Sequence, residues 1–320
     1  MSSPNKILVA SATATTGSQV VHALSRAGSQ VRAMVRKLDD IRSKALAALP
    51  GVEVVVGDFD DAASIAAALA GTQRALLVSG AFSYEQFERE TLFIEAADAA
   101  GLEAVVRIGT ASPLVKPGTK GAYGRCHHGI DAFIAAMNYK VITLNPNWYL
   151  SNWMSSAGEA KATGKISLPV SGTGSKSRLI DPRDVGGAAA AILTLSSSAL
   201  LPFIEKRNIE VHGPTLVNLS EKAAALSLAV GYKIEINQVP VEAWVATLQS
   251  YGLARVWATS FAETVLQVDG VTPKGYPSPT NGNTMESLDT SPELLAIWKP
   301  QYTIHDWANS NEVKAAFTRV

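Results

Sequence analysis

One cysteine, Cys126, occurs in 320 residues. That excludes an internal disulfide and a zinc site built from several thiolates. An excess of charge is missing too. The 28 basic residues balance 28 acidic ones, so no long-range field favours nucleic acid or an anionic membrane as partner. No apolar run reaches the ~20 residues needed to span a bilayer. "MSSPNK" leads straight into a strand-like run, with no secretory apolar segment before it. The expectation is a soluble cytoplasmic protein acting on a small molecule, with neither nucleic acid nor membrane as partner; oligomeric state leaves no trace in the sequence. Disorder is not expected of a chain that is 47% hydrophobic and 18% charged. Glycine is scarce at one telling place. "KILVASATATTGSQVVHAL" has the outline of a strand, a tight turn and a helix, yet the turn holds a single glycine, Gly17.

Up to about residue 145, apolar runs alternate with helix-like stretches. The runs are "KILVA", "QVRAMV", "VEVVVGD", "RALLVSG", "AVVRIG" and "KVITLN". Near-continuous Val/Ile/Leu strands alternating with helices imply a parallel sheet covered on both faces. Gly28, Gly51, Gly71 and Gly101 fall where a left-handed helix cap is needed. Six such units predict a doubly wound α/β fold of the Rossmann type. Beyond residue 146 the regularity breaks. Asp181 and Pro182 mark a helix start, and Thr303 with Asp306 marks another. The expected division is a dinucleotide-binding domain over 1–150 and a smaller α+β substrate lobe over 151–320, part of which returns to the large sheet. The Pro/Gly/Asn-rich stretch 270–290 reads as a binding loop or lid.

In a dinucleotide-binding turn the first glycine permits the tight bend, the second admits the pyrophosphate, and the third packs helix on strand. Here those positions hold Ser11, Ala14 and Gly17. Neither replacement is prohibitive, because a helix N-terminus still offers free N–H groups and a positive dipole end. Thr13, Thr15 and Thr16 add hydroxyl donors. The competing reading is a plain strand-to-helix connection. Arg36 and Lys37 follow the second strand, where a carboxylate would select NAD and two cations suit the 2′-phosphate of NADP; otherwise they are solvated charges at a helix start.

Taken together, "KILVASATATTGSQVVHAL", "VRAMVR" with "GVEVVVGDFDD", "NPNWYLSNW", "LIDPRDVGGAAAAIL" and the tail "TIHDWANSNEVKAAF" resemble, in order and spacing, the NmrA-like group of atypical short-chain dehydrogenase/reductase proteins. The resemblance covers nearly the whole chain. It implies NADP as cofactor, with Arg36 and Lys37 at the 2′-phosphate, Asp58 near the adenine, and Ser79, Gly80 and Ala81 along the cofactor's middle. That group contains NADPH-dependent reductases and regulators that bind NADP without turning it over. Ser11 and Ala14 depart from its pattern, and Asn145 stands where it usually has arginine.

"GAYGRCHHGID" carries the densest chemistry. Short-chain dehydrogenases use Tyr-x-x-x-Lys on such a helix; here Tyr123, His127 and Asp131 stack on one face at a spacing of four. Tyr123 is the candidate proton donor. His127 is a candidate general acid or base, with Asp131 placed to hold its tautomer, and His128 is a second candidate. In the broader superfamily a hydroxyl following the fifth strand polarises the substrate carbonyl, the role the resemblance implies for Thr110 or Ser112. A purely structural helix and turn explain the same residues equally well. Cys126 reads as packing. His22, His212 and His305 are scattered, so no metal is expected. Phe82, Tyr84, Trp148, Tyr149, Trp153, Trp244 and Trp257 suit a flat aromatic ligand, or an ordinary core.

The leading expectation is an NAD(P)H-dependent oxidoreductase of a hydrophobic, aromatic or polycyclic, secondary-metabolite-like carbonyl, imine or enone. The alternatives are a cofactor-independent cyclase, lyase or isomerase, and a non-catalytic NADP-sensing regulator.

Overall fold

A computed structural model of the chain describes residues 6–115, 121–273 and 284–319. Strands β1 (Lys6–Val9), β2 (Gln30–Val35), β3 (Val52–Val56), β4 (Arg74–Leu77), β5 (Ala104–Ile108) and β6 (Val141–Pro146) alternate with helices α1 (Thr15–Arg26), α2 (Ile41–Ala47), α3 (Ala62–Leu69), α4 (Gln86–Ala99) and α5 (Ala122–Ala136). After α6 (Ala157–Thr163), β7 (Lys165–Leu168), α7 (Pro182–Leu193) and α8 (Ser197–Lys206), strand β8 (Asn208–Val211) returns to the same sheet. Its order is β3-β2-β1-β4-β5-β6-β8, and every pairing is parallel. This is the doubly wound Rossmann-type α/β fold expected from the alternation.

The pleat explains the two-sided burial. Ile7 and Val9 of β1 face α1 and α7, while Leu8 faces α3, α4 and α5. Helix α7 lies against α1 so closely that a Cβ on Gly186 would collide with Gln19. The second lobe adds α9 (Leu219–Val230), β9 (Glu235–Gln238), α10 (Val241–Ser250) and α11 (Arg255–Val268), with β7 and β9 forming a parallel pair. It has its own apolar core around Trp153, Leu226 and Phe317.

Asp181 caps α7 by accepting from the Arg183 N–H, and the Thr303–Asp306 capping box is present. After the short α12 (Pro292–Leu295), the tail from Thr303, read as one helix, is two, α13 (Ile304–Ala308) and α14 (Asn311–Phe317). Ser310 breaks the run by capping α14 through the Val313 N–H. Residues 274–283 of the expected loop at 270–290 lie outside the described residues. Among those described, no single helix is long and apolar enough to cross a membrane.

Candidate functional site

The strand order reverses between β1 and β4, and a crevice forms at such a switch point. A cleft of about 360 Å³ opens there. Ser11, Thr13 and Ala14 line it from the first turn, Arg36 from beyond β2, Asp58 from beyond β3, and Ser79 and Gly80 from beyond β4.

The turn accommodates its substitutions differently. Ser11 adopts φ +47°, the left-handed region that favours glycine. Gly17 lies directly under the Ser11 carbonyl, which a Cβ would strike. Ala14 is the exposed N-cap of α1 with extended backbone, and no side chain caps the helix there. The first-turn N–H groups of α1 therefore have no capping oxygen. Thr15 is exposed and outside the cleft lining. Thr16 is buried and gives its hydroxyl proton to Tyr149 Oη at 3.3 Å.

Arg36 is exposed and makes no hydrogen bond or ion pair among the described residues. Lys37 is exposed but does not line the cleft. Two further arginines do. Arg42 grips Asp40 through both oxygens at 3.1 and 2.8 Å, which lowers the Asp40 carboxyl to about 2. Arg89 reaches from α4 to both oxygens of Asp60 at 2.6 and 2.7 Å and holds that carboxyl below its usual range.

Tyr123, His127 and Asp131 share one face of α5, and a fully buried arginine organises them. Arg107, on β5, is ion-paired through Nε to Glu90. Its other nitrogens donate to Asp131 Oδ1 at 3.0 Å and to His127 Nδ1 at 2.8 Å. An arginine has no acceptor, so His127 Nδ1 must accept and the ring proton sits on Nε2. This corrects the role given to Asp131: Arg107 fixes the His127 tautomer, and Asp131 joins Glu90 as a second carboxylate on Arg107. Burial, reinforced by Arg107, drives the His127 pKa well below the ordinary histidine value, so the ring is neutral at pH 7. His128 lies on the exposed side of the helix, away from this cluster.

Burial pushes the Tyr123 hydroxyl up to about 12, opposed by a hydrogen bond with Thr110 and by the Arg107 charge. The structure thus brings Thr110 and Tyr123 together, whereas Ser112 donates its N–H to Glu210 Oε1 at 3.2 Å. Burial raises Cys126 to about 11, which keeps the thiol protonated. Phe82 stacks on Tyr123 with centroids 4.7 Å apart. Ser79 joins the two halves of the site: it lines the cleft and donates to Glu90 Oε1 at 2.6 Å, and Glu90 holds Arg107.

Sequence reasoning missed Arg42, Arg89, Glu90 and Arg107. Only Arg107 left a signal, a lone charge inside the apolar run "AVVRIG".

A parallel sheet wound on both faces, with an uncapped helix terminus and a free arginine at its switch point, defines a Rossmann-type protein with a crevice for an anionic ligand. The chain belongs to the NmrA-like family, whose model matches residues 3–272. It is 26% identical over 308 residues to an NAD(P)H azoreductase of Xenophilus azovorans, covering 95% of this chain and 97% of that one. The structure of the NADPH-dependent quinone oxidoreductase QOR2 of Escherichia coli, complexed with NADPH, superposes with a TM-score of 0.72 at 22% identity, covering 94% of this chain and 98% of that one. Triphenylmethane reductase of Citrobacter sp., complexed with NADP(H), gives 0.70 at 20% identity, covering 97% and 99%.

Proposed function

We propose that this protein is an NADPH-dependent reductase of flat aromatic small molecules, such as quinone-like or azo compounds. The observation that carries this reading is the open cleft at the switch point: its first turn is uncapped, and an unpaired Arg36 stands beyond β2. The added bulk of Ser11 and Ala14 leaves the cleft open. Among the relatives, one named NAD(P)H azoreductase matches over 95% of this chain, and one named quinone oxidoreductase 2 matches over 77% of it.

In this reading the N–H groups of α1, with Thr13, hold the pyrophosphate. Arg36 and Arg42 receive the 2′-phosphate, Asp58 lies toward the adenine, and Ser79 and Gly80 flank the middle of the cofactor. The nucleotide, when bound, supplies the hydride. Tyr123 and Thr110 hydrogen-bond the substrate atom that gains the electron pair, and Tyr123 hands it a proton. A hydroxyl raised to about 12 is protonated at neutral pH, as a donor must be. His127, being neutral and fixed by Arg107, positions Tyr123 edge-on at 4.7 Å and does not supply the proton as an imidazolium. Phe82 lies on the Tyr123 face that an aromatic substrate would take.

NADPH fluorescence titration tests the binding half. Arg36→Ala should weaken NADPH about 10- to 100-fold, the loss of one charge-assisted contact of roughly 1.5–3 kcal/mol, and leave NADH nearly unchanged. Tyr123→Phe should retain NADPH binding and lose most quinone reduction. Wild-type protein that fails to bind NADPH at millimolar concentration would end the proposal.

A further inference from the structure

We infer that the second lobe holds a separate binding site for a flat, neutral aromatic molecule with one hydrogen-bonding substituent. A cavity of about 370 Å³ lies between α10, α11 and the turn over Leu150–Ser156. That is the size of a small-molecule site, and its make-up, aromatic and aliphatic walls interspersed with hydroxyl, amide and carboxylate groups, fits one. Trp153, Trp244 and Val265 are buried walls.

Its position separates it from the nucleotide cleft. The two share no lining residue. Trp148 and Phe261, stacked at 5.4 Å, form a partition. Phe261 packs against Phe82 at 5.0 Å, and Phe82 in turn covers Tyr123. On the opposite side the lining residues Ser155, Gly158, Thr247 and Tyr251 are exposed. A ligand enters there from solvent without passing Tyr123.

The polar groups define the ligand. The indole N–H of Trp244 is already satisfied by the Ser167 carbonyl at 2.9 Å. Glu159 accepts from the Ser167 N–H and hydroxyl at 3.0 and 2.6 Å, and its carboxylate lines the wall. Among the described residues no lysine or arginine lines the cavity, so burying an anion beside Glu159 is unfavourable. Asn152, Ser155, Ser156 and Tyr251 line it too, and their side chains make no hydrogen bond among the described residues; Ser155 and Tyr251 stand at the exposed mouth. Deeper than the mouth residues and against the indole walls, the Asn152 amide fixes a hydroxyl or amino substituent.

The test uses 2-naphthol, a neutral planar molecule with one O–H, titrated calorimetrically into the full-length protein with and without saturating NADPH. The expected result is a saturable site in both conditions. Thr247→Trp, placed at the exposed mouth, should abolish it, and Gly158→Trp, where a Cβ meets open space, should do the same from the other side. Asn152→Ala should weaken it about fivefold, the worth of one neutral hydrogen bond. NADPH affinity should be unchanged in all three variants. A 2-naphthol site that survives both mouth variants, or the absence of any saturable site, overturns the inference. NADPH binding is read separately, so a failure of the reductase reading leaves this result interpretable.

Discussion

A bulky side chain at φ +59°, as at Phe82, is held against its own backbone preference. What holds it is the ring, packed on Tyr123, Phe261 and Trp257. Two terms of similar size oppose each other: left-handed strain of about 1 kcal/mol, and stacking worth about 0.5–1.5 kcal/mol beyond the area buried. Phe82→Ala loses the ring and keeps the strain; Phe82→Gly loses both. We expect the glycine variant to be the more stable of the two by about 1 kcal/mol in urea unfolding. Equal midpoints would mean that the backbone at residue 82 carries no strain. His127 teaches a related lesson. Its type suggested a titrating group, but Arg107 on Nδ1 and full burial leave a neutral ring with a fixed tautomer. The residue was legible in the sequence; its state was set by a partner 20 positions earlier in the chain.

Among the elements, α1 and its turn show how a motif survives the loss of two of its three glycines. Ser11 takes the left-handed angle itself, and Ala14 sits on the rim with its methyl exposed. Gly17 cannot be replaced in the same way, because the Ser11 carbonyl occupies the space of a side chain. Gly17→Ala should therefore cost about 1–3 kcal/mol, the usual penalty of overpacking, lowering the melting temperature. By moving α1 off the turn it should weaken NADPH as well. An alanine variant with wild-type melting and affinity would contradict this packing. Helix α5 was readable as a helix with three chemical residues on one face, and that face is the one turned to Arg107. The tail helix was not readable as two, since a serine also sits on the polar face of an unbroken helix, and only the bond that Ser310 accepts from the Val313 N–H marks the second start.

For the molecule as a whole, Asp184 helps tie the C-terminal tail to the large sheet: in α7, it accepts the N–H groups of Gln301 and Tyr302 at 2.9 and 3.0 Å. Burial raises its carboxyl to about 6, against the pull of those two N–H groups. A carboxyl that binds its proton more tightly folded than unfolded stabilises fully below about pH 4, and that contribution is lost as pH rises through 6. The shift corresponds to an energy on the order of 2–3 kcal/mol. Urea unfolding of wild type and Asp184→Asn at pH 4.5 and 7 should show wild type gaining relative to the variant at the lower pH; an equal difference at both would refute the assignment. The order of strands and helices, the capping glycines and the residues around the first turn were determined by the sequence alone, because periodicity and backbone preference act over a few neighbouring residues. The pairing of Arg107 with His127, the arrival of Arg42 and Arg89 in the cleft, and the walling-off of a second cavity by Trp148 and Phe261 were decided only by the tertiary structure. Each depends on side chains far apart in the chain meeting after burial has removed water as their competing partner.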